Sequence, residues 1–162
     1  MFKLSRRAGS GARLLATVLL LGCQRPSRVA QTAGPELLDA AGGSADEVVR
    51  RAQHEAVRDG RQLLVYISAS WCEPCERFQK AIRSGQLNAY FPRLRLLKFD
   101  QDRDTERLRV AGYDGQYIPR FVIPGPDGRG TTHRIEGGTK AEDTVMTSIG
   151  PRLQRMLNGQ GP

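Results

Sequence analysis

The segment 71–75, with the sequence Trp-Cys-Glu-Pro-Cys, constrains this chain more than any other. It follows an apolar run at 63–67 and begins a pattern of helical spacing, which indicates a strand-to-helix junction. Cys72 is placed where unpaired backbone N–H groups and the helix dipole stabilise a thiolate. Cys75, one turn further, can attack a mixed disulfide formed by Cys72, and Pro74 suits the first turn, where its missing N–H costs nothing. The segment therefore predicts a redox-active dithiol.

A metal site is the alternative for such a pair. The chain has three cysteines, which excludes a disulfide framework and a four-cysteine zinc site. Zinc bound by Cys72 and Cys75 would need two more ligands, and the two histidines, His54 and His133, fall in a helical and a hairpin segment remote in sequence. We therefore assign no metal. Cys23 is left unpaired and needs a separate explanation.

The net charge of +8 is concentrated at the amino terminus. Residues 1–22 contain Lys3, Arg6, Arg7 and Arg13 and no acidic residue, so they carry half of that charge. In the remaining chain, arginines are interleaved with acids and form no basic stripe or aromatic platform for nucleic acid. We expect no nucleic-acid binding.

Residues 1–22 have the pattern of a secretory signal peptide, a basic start followed by apolar residues at 14–21. Such a run rises about 12 Å as a helix, far short of a ~30 Å hydrocarbon core. The segment 20–23, Leu-Leu-Gly-Cys, resembles the lipobox of bacterial lipoproteins, in which the cysteine is lipidated and becomes the mature N-terminus. Leu21 departs from the small residue usual at its position. The alternative is an ordinary signal peptide with an incidental cysteine.

Lipidation of Cys23 would account for the odd thiol and would attach the protein to a membrane. Gln24 after that cysteine favours the outer membrane where the envelope has two. Residues 23–45 are rich in Pro, Gly, Ser and Ala, a composition typical of a flexible tether. Within them, only 36–38 suggests local structure, a short docking turn.

The predicted element order is α-β-α-β-α-β-β-α. Ser44 is expected to cap the first helix, with Glu47 completing a capping box, and Thr139 to cap the last. Strands are predicted at 63–67, 94–99, 117–123 and 131–136. Right-handed crossovers place the first two strands side by side with helices on both faces. The predicted fold class is α/β, a central mixed sheet flanked by helices.

Over residues 46–158 the chain resembles the thioredoxin superfamily, with 159–162 as a tail. The resemblance rests on the Trp-Cys-Glu-Pro-Cys segment between a strand and a helix, on Ile118-Pro119 before the hairpin, and on Gly137 after it. It is similar in particular to short thioredoxin-like lipoproteins of the bacterial envelope. The implied fold is thioredoxin-like, preceded by a signal peptide and a flexible tether.

The resemblance implies the roles of the site residues. Cys72 would be the nucleophile and Cys75 the buried resolving thiol. Tyr66 stands where the family's reductases often carry a buried acid beneath the resolving cysteine, so Glu73 or water must deprotonate Cys75. Lys98 either matches a lysine beside such an acid or is an exposed residue at a strand end.

The resemblance also implies a groove for substrate. Pro119 would be a cis-proline beside the cysteine pair, and it would expose the backbone of Ile118 for pairing with an extended substrate strand. Trp71, Ile118 and Gly137 would line a shallow apolar groove around that edge.

We assign Glu73 and Pro74, the residues between the cysteines, to redox tuning. A negative charge at Glu73 disfavours the thiolate and should raise the pKa of Cys72. A thiol that holds its proton makes the protein more reducing, which favours a reductase over an oxidase.

The favoured hypothesis is a membrane-anchored thiol–disulfide oxidoreductase, a monomer without cofactor that reduces protein disulfides in the bacterial envelope. Its partners would be protein disulfides, an upstream thiol electron donor and the membrane that holds the lipid on Cys23. The alternatives are a disulfide oxidase or isomerase and a non-catalytic binding module of the same fold.

Overall fold

The computed structural model describes residues 34–138 and 144–160, which form one mixed sheet with helices on both faces. The elements are, in chain order, β1 (Glu36–Asp39), α1 (Ala45–Arg58), β2 (Gln62–Ser68), α2 (Glu73–Arg83), β3 (Leu94–Asp100), α3 (Thr105–Val110), β4 (Arg120–Val122), β5 (Arg134–Glu136), a π-helical turn (Thr144–Ile149) and α4 (Gly150–Leu157). The signal peptide, Cys23 and Thr139 lie outside the described residues.

The strand order in the sheet is β1-β3-β2-β4-β5. β2 pairs with β3 in parallel and with β4 antiparallel, so it lies at the centre of the sheet. All but the first residue of β2 are buried, because helices cover both faces. The predicted mixed sheet flanked by helices is confirmed.

Two apolar layers enclose β2. Leu64 and Tyr66 face the layer shared with α2 and α4, whereas Val65 and Ile67 face the layer shared with α1 and α3. This alternation follows from the two-residue period of a strand. It places Tyr66 on the same side of the sheet as the cysteine-bearing helix.

The docking turn expected at 36–38 is wrong, because these residues belong to β1. β1 pairs with β3 in parallel at the edge of the sheet, from Glu36 opposite Arg95 to Asp39 opposite Lys98. Arg95 is buried and its guanidinium donates to the Glu36 and Asp59 carboxylates at 2.7 and 2.8 Å. Part of the segment assigned to the tether is therefore an edge strand of the sheet.

The remaining differences concern element ends. Ser44 is the residue that precedes α1, but its side chain makes no capping hydrogen bond, so the predicted capping box is absent. The strand expected at 117–123 is reduced to β4, because the chain bends at 116–119 before it pairs. Among the described residues, no helix is long and apolar enough to cross a membrane.

Candidate active site

Cys72 and Cys75 form a disulfide at the amino end of α2. Cys72 is the N-cap residue, and its Sγ accepts the backbone N–H of Cys75 at 3.3 Å. Cys75 is fully buried and Cys72 is only 4% exposed, so the inner sulfur is sealed by the outer one. When the pair is reduced, the first N–H groups of α2 and its dipole stabilise a thiolate on Cys72.

Glu73 and Pro74 occupy the first turn of α2. The Glu73 carboxylate lies 3.1 Å from the Arg77 guanidinium, one turn along the same helix. This ion pair offsets part of the negative charge that the sequence places beside Cys72. Glu73 therefore opposes the thiolate less than an unpaired carboxylate would.

Tyr66 lies beneath the resolving cysteine, as its position in β2 suggests. Its hydroxyl donates to the backbone oxygen of Cys75 at 3.3 Å and accepts a hydrogen bond from the Gln79 amide at 3.5 Å. Burial raises the pKa of Tyr66, an effect that hydrogen bonds with Gln79 and Ser68 only partly oppose. Tyr66 thus keeps its proton and cannot serve as the base that activates Cys75.

Pro119 lies at the end of the sheet that carries the disulfide. β4 pairs antiparallel with β2 and begins with Arg120 opposite Ile67, so the bent segment 116–119 lies at the end of the sheet where the cysteines follow β2. The Ile118–Pro119 peptide bond is cis. Within the described residues, neither the N–H nor the carbonyl of Ile118 has a hydrogen-bond partner. This edge is therefore open to another strand.

Gly137 lies on the other side of Pro119 from the cysteines. It follows β5, adopts a φ of +73°, and its N–H donates to the Pro119 carbonyl at 2.9 Å. A side chain would be strained at this φ, which explains the glycine. Gly137 thus fixes the side of Pro119 that faces away from the cysteines, and its place in a substrate groove stays a prediction.

Trp71 projects into solvent beside the disulfide, with 67% of its surface exposed. Its indole N–H donates to the Asp102 carboxylate at 2.8 Å, in the turn that follows β3. Asp102 was not identified from the sequence, because nothing in its local pattern marks a partner for a residue so far away along the chain. The hydrogen bond holds the exposed indole on the β3 side of the disulfide.

Arg120 and Glu136 are further residues that sequence reasoning did not find. Arg120 is 1% exposed and donates to the Tyr113 carbonyl at 3.0 Å and to the Gln101 side-chain oxygen at 3.3 Å. Its Nε lies 3.5 Å from a Glu136 carboxylate oxygen, and burial lowers the pKa of Arg120. A charged residue directly after Pro119, in a strand of three residues, was the available signal.

Lys98 lies beside Tyr66, because the two residues are opposite each other in the parallel register of β2 with β3. It pairs with Asp39 of β1 at 2.8 Å, on the edge of the sheet away from β4. Its place beside Tyr66 fits the expected lysine that neighbours the position beneath Cys75, and its half-buried side chain differs from the exposed strand-end residue of the alternative.

The site combines a cysteine pair at a helix N-terminus, an uncharged tyrosine beneath the pair, and a proline at the same end of the sheet whose preceding residue has free backbone groups. This combination defines a thiol–disulfide oxidoreductase. The chain belongs to the thioredoxin-like family, whose model matches residues 46–126. No curated protein matches the sequence.

Two solved structures are similar in fold. Thioredoxin O1 from Arabidopsis thaliana in the oxidized state has 17% identity and a TM-score of 0.46, over 80% of this chain and 99% of its own. A mutant thioredoxin from Halobacterium salinarum has 19% identity and a TM-score of 0.43, over 78% of this chain and 92% of its own. At these scores they add nothing to the family match and the geometry of the site.

Proposed function

We propose that this oxidoreductase is anchored to a membrane through a lipid on Cys23 and reduces protein disulfides in the bacterial envelope. The observation that carries the reductive chemistry is the arrangement of the cysteine pair. Cys72 lies at the surface end of the disulfide, at the helix N-terminus, and Cys75 is fully buried behind it. Such an arrangement separates an attacking sulfur from a resolving one.

The reaction transfers two electrons from the dithiol to the substrate. The Cys72 thiolate attacks one sulfur of a substrate disulfide, forms a mixed disulfide with it, and expels the other substrate sulfur as a thiolate. Cys75 then loses its proton and attacks the Cys72 sulfur, which releases the second substrate thiolate and leaves the Cys72–Cys75 disulfide. Both released thiolates take up protons, and an upstream thiol donor returns the pair to its reduced form.

The proton of Cys75 has to leave without help from Tyr66. Because the Tyr66 hydroxyl is occupied by the Cys75 carbonyl and holds its own proton, it offers no base. Water or Glu73 at the surface end of the helix must therefore accept the proton. This supports a reductase whose release step is slower than that of a relative with a buried acid.

The reduction potential distinguishes reductase from oxidase or isomerase. Glu73 beside Cys72 supports a reducing potential, although its ion pair with Arg77 at 3.1 Å weakens that effect. We expect a value near that of thioredoxin, about −270 mV, when the protein is equilibrated with glutathione redox buffers. A value near the −120 mV of a strong oxidase would overturn the proposed direction.

Insulin reduction tests the catalytic proposal. Wild type should precipitate insulin chains in the presence of dithiothreitol, and Cys72→Ser should lose this activity. Cys23→Ser is the matched control, because it removes a cysteine outside the described domain. Equal rates for wild type and Cys72→Ser would leave only a non-catalytic binding module.

Mixed-disulfide trapping identifies the substrates. A Cys75→Ser variant should accumulate covalent complexes through Cys72 in the envelope, because the resolving step is blocked. A Cys72→Ser, Cys75→Ser double variant is the control. If the single variant accumulates no complexes above this control, protein disulfides are not the substrates.

The anchoring proposal is tested separately. The sequence pattern at 20–23 supports lipidation of Cys23. The wild-type protein should therefore fractionate with membranes and incorporate labelled fatty acid, whereas Cys23→Ser should do neither. Membrane retention of Cys23→Ser would refute the anchor and leave the chemistry untouched.

A further inference from the structure

Tyr117 is an exposed aromatic residue in the segment that leads into Pro119. It is 57% exposed, although an aromatic ring of this size is usually covered in a folded domain. β4 begins with Arg120 opposite Ile67, so the segment 116–119 lies at the end of the sheet where the loop that leads to Cys72 follows β2. Tyr117 therefore stands at the β4 side of the loop that carries the disulfide.

The backbone of Tyr117 is held in place by a side chain from β5. One Glu136 carboxylate oxygen accepts the N–H groups of Gln116 and Tyr117, at 3.0 and 3.1 Å. The other carboxylate oxygen faces the buried Arg120 guanidinium at 3.5 Å. The Glu136 carboxylate, which faces the buried Arg120, thus fixes the backbone from which the exposed Tyr117 ring projects.

The loop before Tyr117 is also fixed. Arg120 donates to the Tyr113 carbonyl, and a Cβ at Gly115 would overlap both the Arg120 guanidinium and the Glu136 carboxylate. Next to the ring, the Cβ position of Gly137 lies 3.5 Å from the Tyr117 Cβ. The ring is therefore presented from a rigid base, which lowers the entropy lost when a ligand packs on it.

Trp71 is the exposed aromatic residue on the β3 side of the disulfide. Asp102, which holds the Trp71 indole, follows β3, and β3 lies on the other side of β2 from β4. The end of the sheet that carries the disulfide thus has an exposed aromatic ring on its β3 side, Trp71, and a second exposed aromatic residue on its β4 side, Tyr117. Residues that flank a substrate cysteine at Cys72 would extend along this end of the sheet, towards Trp71 on one side and Tyr117 on the other.

We propose that Tyr117 is a specificity-determining residue, which favours protein disulfides whose reacting cysteine has an aromatic or large apolar neighbour. The inference rests on the proposed function, since it concerns the substrates of the same dithiol. An aromatic contact at one such ring corresponds to about threefold to tenfold in rate constant at subsaturating substrate.

The test uses the reduced full-length protein and two peptides that differ only beside the cysteine. They are Gly-Phe-Cys-Phe-Gly and Gly-Ser-Cys-Ser-Gly, each joined through its cysteine to the coloured thiol 2-nitro-5-thiobenzoate. Cys72 attacks the peptide sulfur and expels the coloured thiolate, and Cys75 then releases the peptide thiol. The selectivity is the ratio of the second-order rate constants for the two peptides. A variant's effect on folding or on thiol reactivity changes both rate constants by the same factor and cancels in this ratio.

Wild type should react about threefold to tenfold faster with the phenylalanine peptide. Tyr117→Ser should bring that ratio down towards one through a weaker apparent affinity for the phenylalanine peptide, and Tyr117→Phe should restore it. Tyr90→Ser is the matched control, because Tyr90 is 51% exposed and follows α2, outside the site. It should keep the wild-type ratio.

The outcomes separate the two proposals. Equal rates of wild type with both peptides, an unchanged ratio in Tyr117→Ser, or an equal loss in Tyr90→Ser would overturn the role of Tyr117 and leave the oxidoreductase intact. Failure of wild type to release the coloured thiol from either peptide would defeat the proposed function, and the specificity with it.

Discussion

Tyr66 shows how one side chain sets the character of the site. A buried acid at this position would change charge during the reaction, whereas a phenol that keeps its proton does not. Its hydroxyl contributes a hydrogen bond to the Cys75 carbonyl and no electrostatic control over the Cys75 thiol. The sequence indicated the missing acid, but the partners of the hydroxyl could only be found in the structure.

We expect Tyr66→Phe to lower the free energy of unfolding by about 1 kcal/mol while insulin reduction stays within about twofold. The lost hydroxyl removes a hydrogen bond to a backbone oxygen, and it takes no part in either thiol exchange step. Denaturant unfolding and the insulin assay on the same preparation measure both effects. A tenfold slower turnover would show instead that the hydroxyl assists the release of substrate.

A second consequence of buried tyrosines concerns alkaline pH. Burial raises the pKa of Tyr66 and of Tyr113 in the folded protein. In the unfolded chain both ionise near pH 10, so stability is full below that pH and falls as the pH rises above it. The predicted free energy of unfolding therefore declines above about pH 10.

The matched variants for this prediction are Tyr66→Phe and Tyr113→Phe, each of which removes one of the two groups. Each variant should show a shallower alkaline decline than wild type in denaturant titrations at stepped pH. A decline of the same slope in all three proteins would mean that other groups cause it.

At the scale of elements, long apolar runs could be identified from the sequence and short segments could not. β2 was predicted from consecutive apolar residues, which a strand buried on both faces needs, and β3 was predicted from its alternating pattern. β1 was not predicted, because four residues among prolines and glycines acquire a strand conformation only through their pairing with β3. Local sequence does not contain that contact.

Ion pairs of unequal burial attach β1 to β3, and we expect them to contribute unequally to the free energy of unfolding. Arg95 is buried and pairs with both Glu36 and Asp59, whereas Lys98 pairs with the exposed Asp39. We expect Arg95→Ala to cost about 2 kcal/mol, since the carboxylates it leaves are partly exposed. Lys98→Ala, on the same pair of strands, should cost at most about 0.5 kcal/mol.

Chemical denaturation of the two variants measures this difference, and limited proteolysis shows where it acts. In Arg95→Ala, cleavage should increase within residues 34–45, because β1 loses the ion pair between Glu36 and Arg95. Similar costs for the two variants would mean that backbone pairing alone holds the strand.

At the scale of the whole molecule, the sheet separates the disulfide from the point where the described chain begins. Arg61, just before β2, donates to the Gly34 carbonyl at 3.2 Å, while the cysteines follow the other end of β2. Seven residues of strand span about 20 Å. A chain anchored ahead of Gly34 would therefore carry its disulfide on the end of the domain away from the anchor.

The opposite placement of the chain start and the disulfide predicts where the protein tolerates a fused folded domain. A folded protein joined ahead of residue 24 should leave insulin reduction within about twofold, because it adds mass at the end remote from Cys72. The same protein inserted after Asp114, in the exposed loop that leads to Pro119, should lower the rate by about tenfold or more, because it crowds the groove. Rates are compared after both fusions show the thermal unfolding of a folded domain. Since the two fusions share one added protein, an equal loss of rate in both would contradict the placement of the groove and the chain start at opposite ends of the sheet.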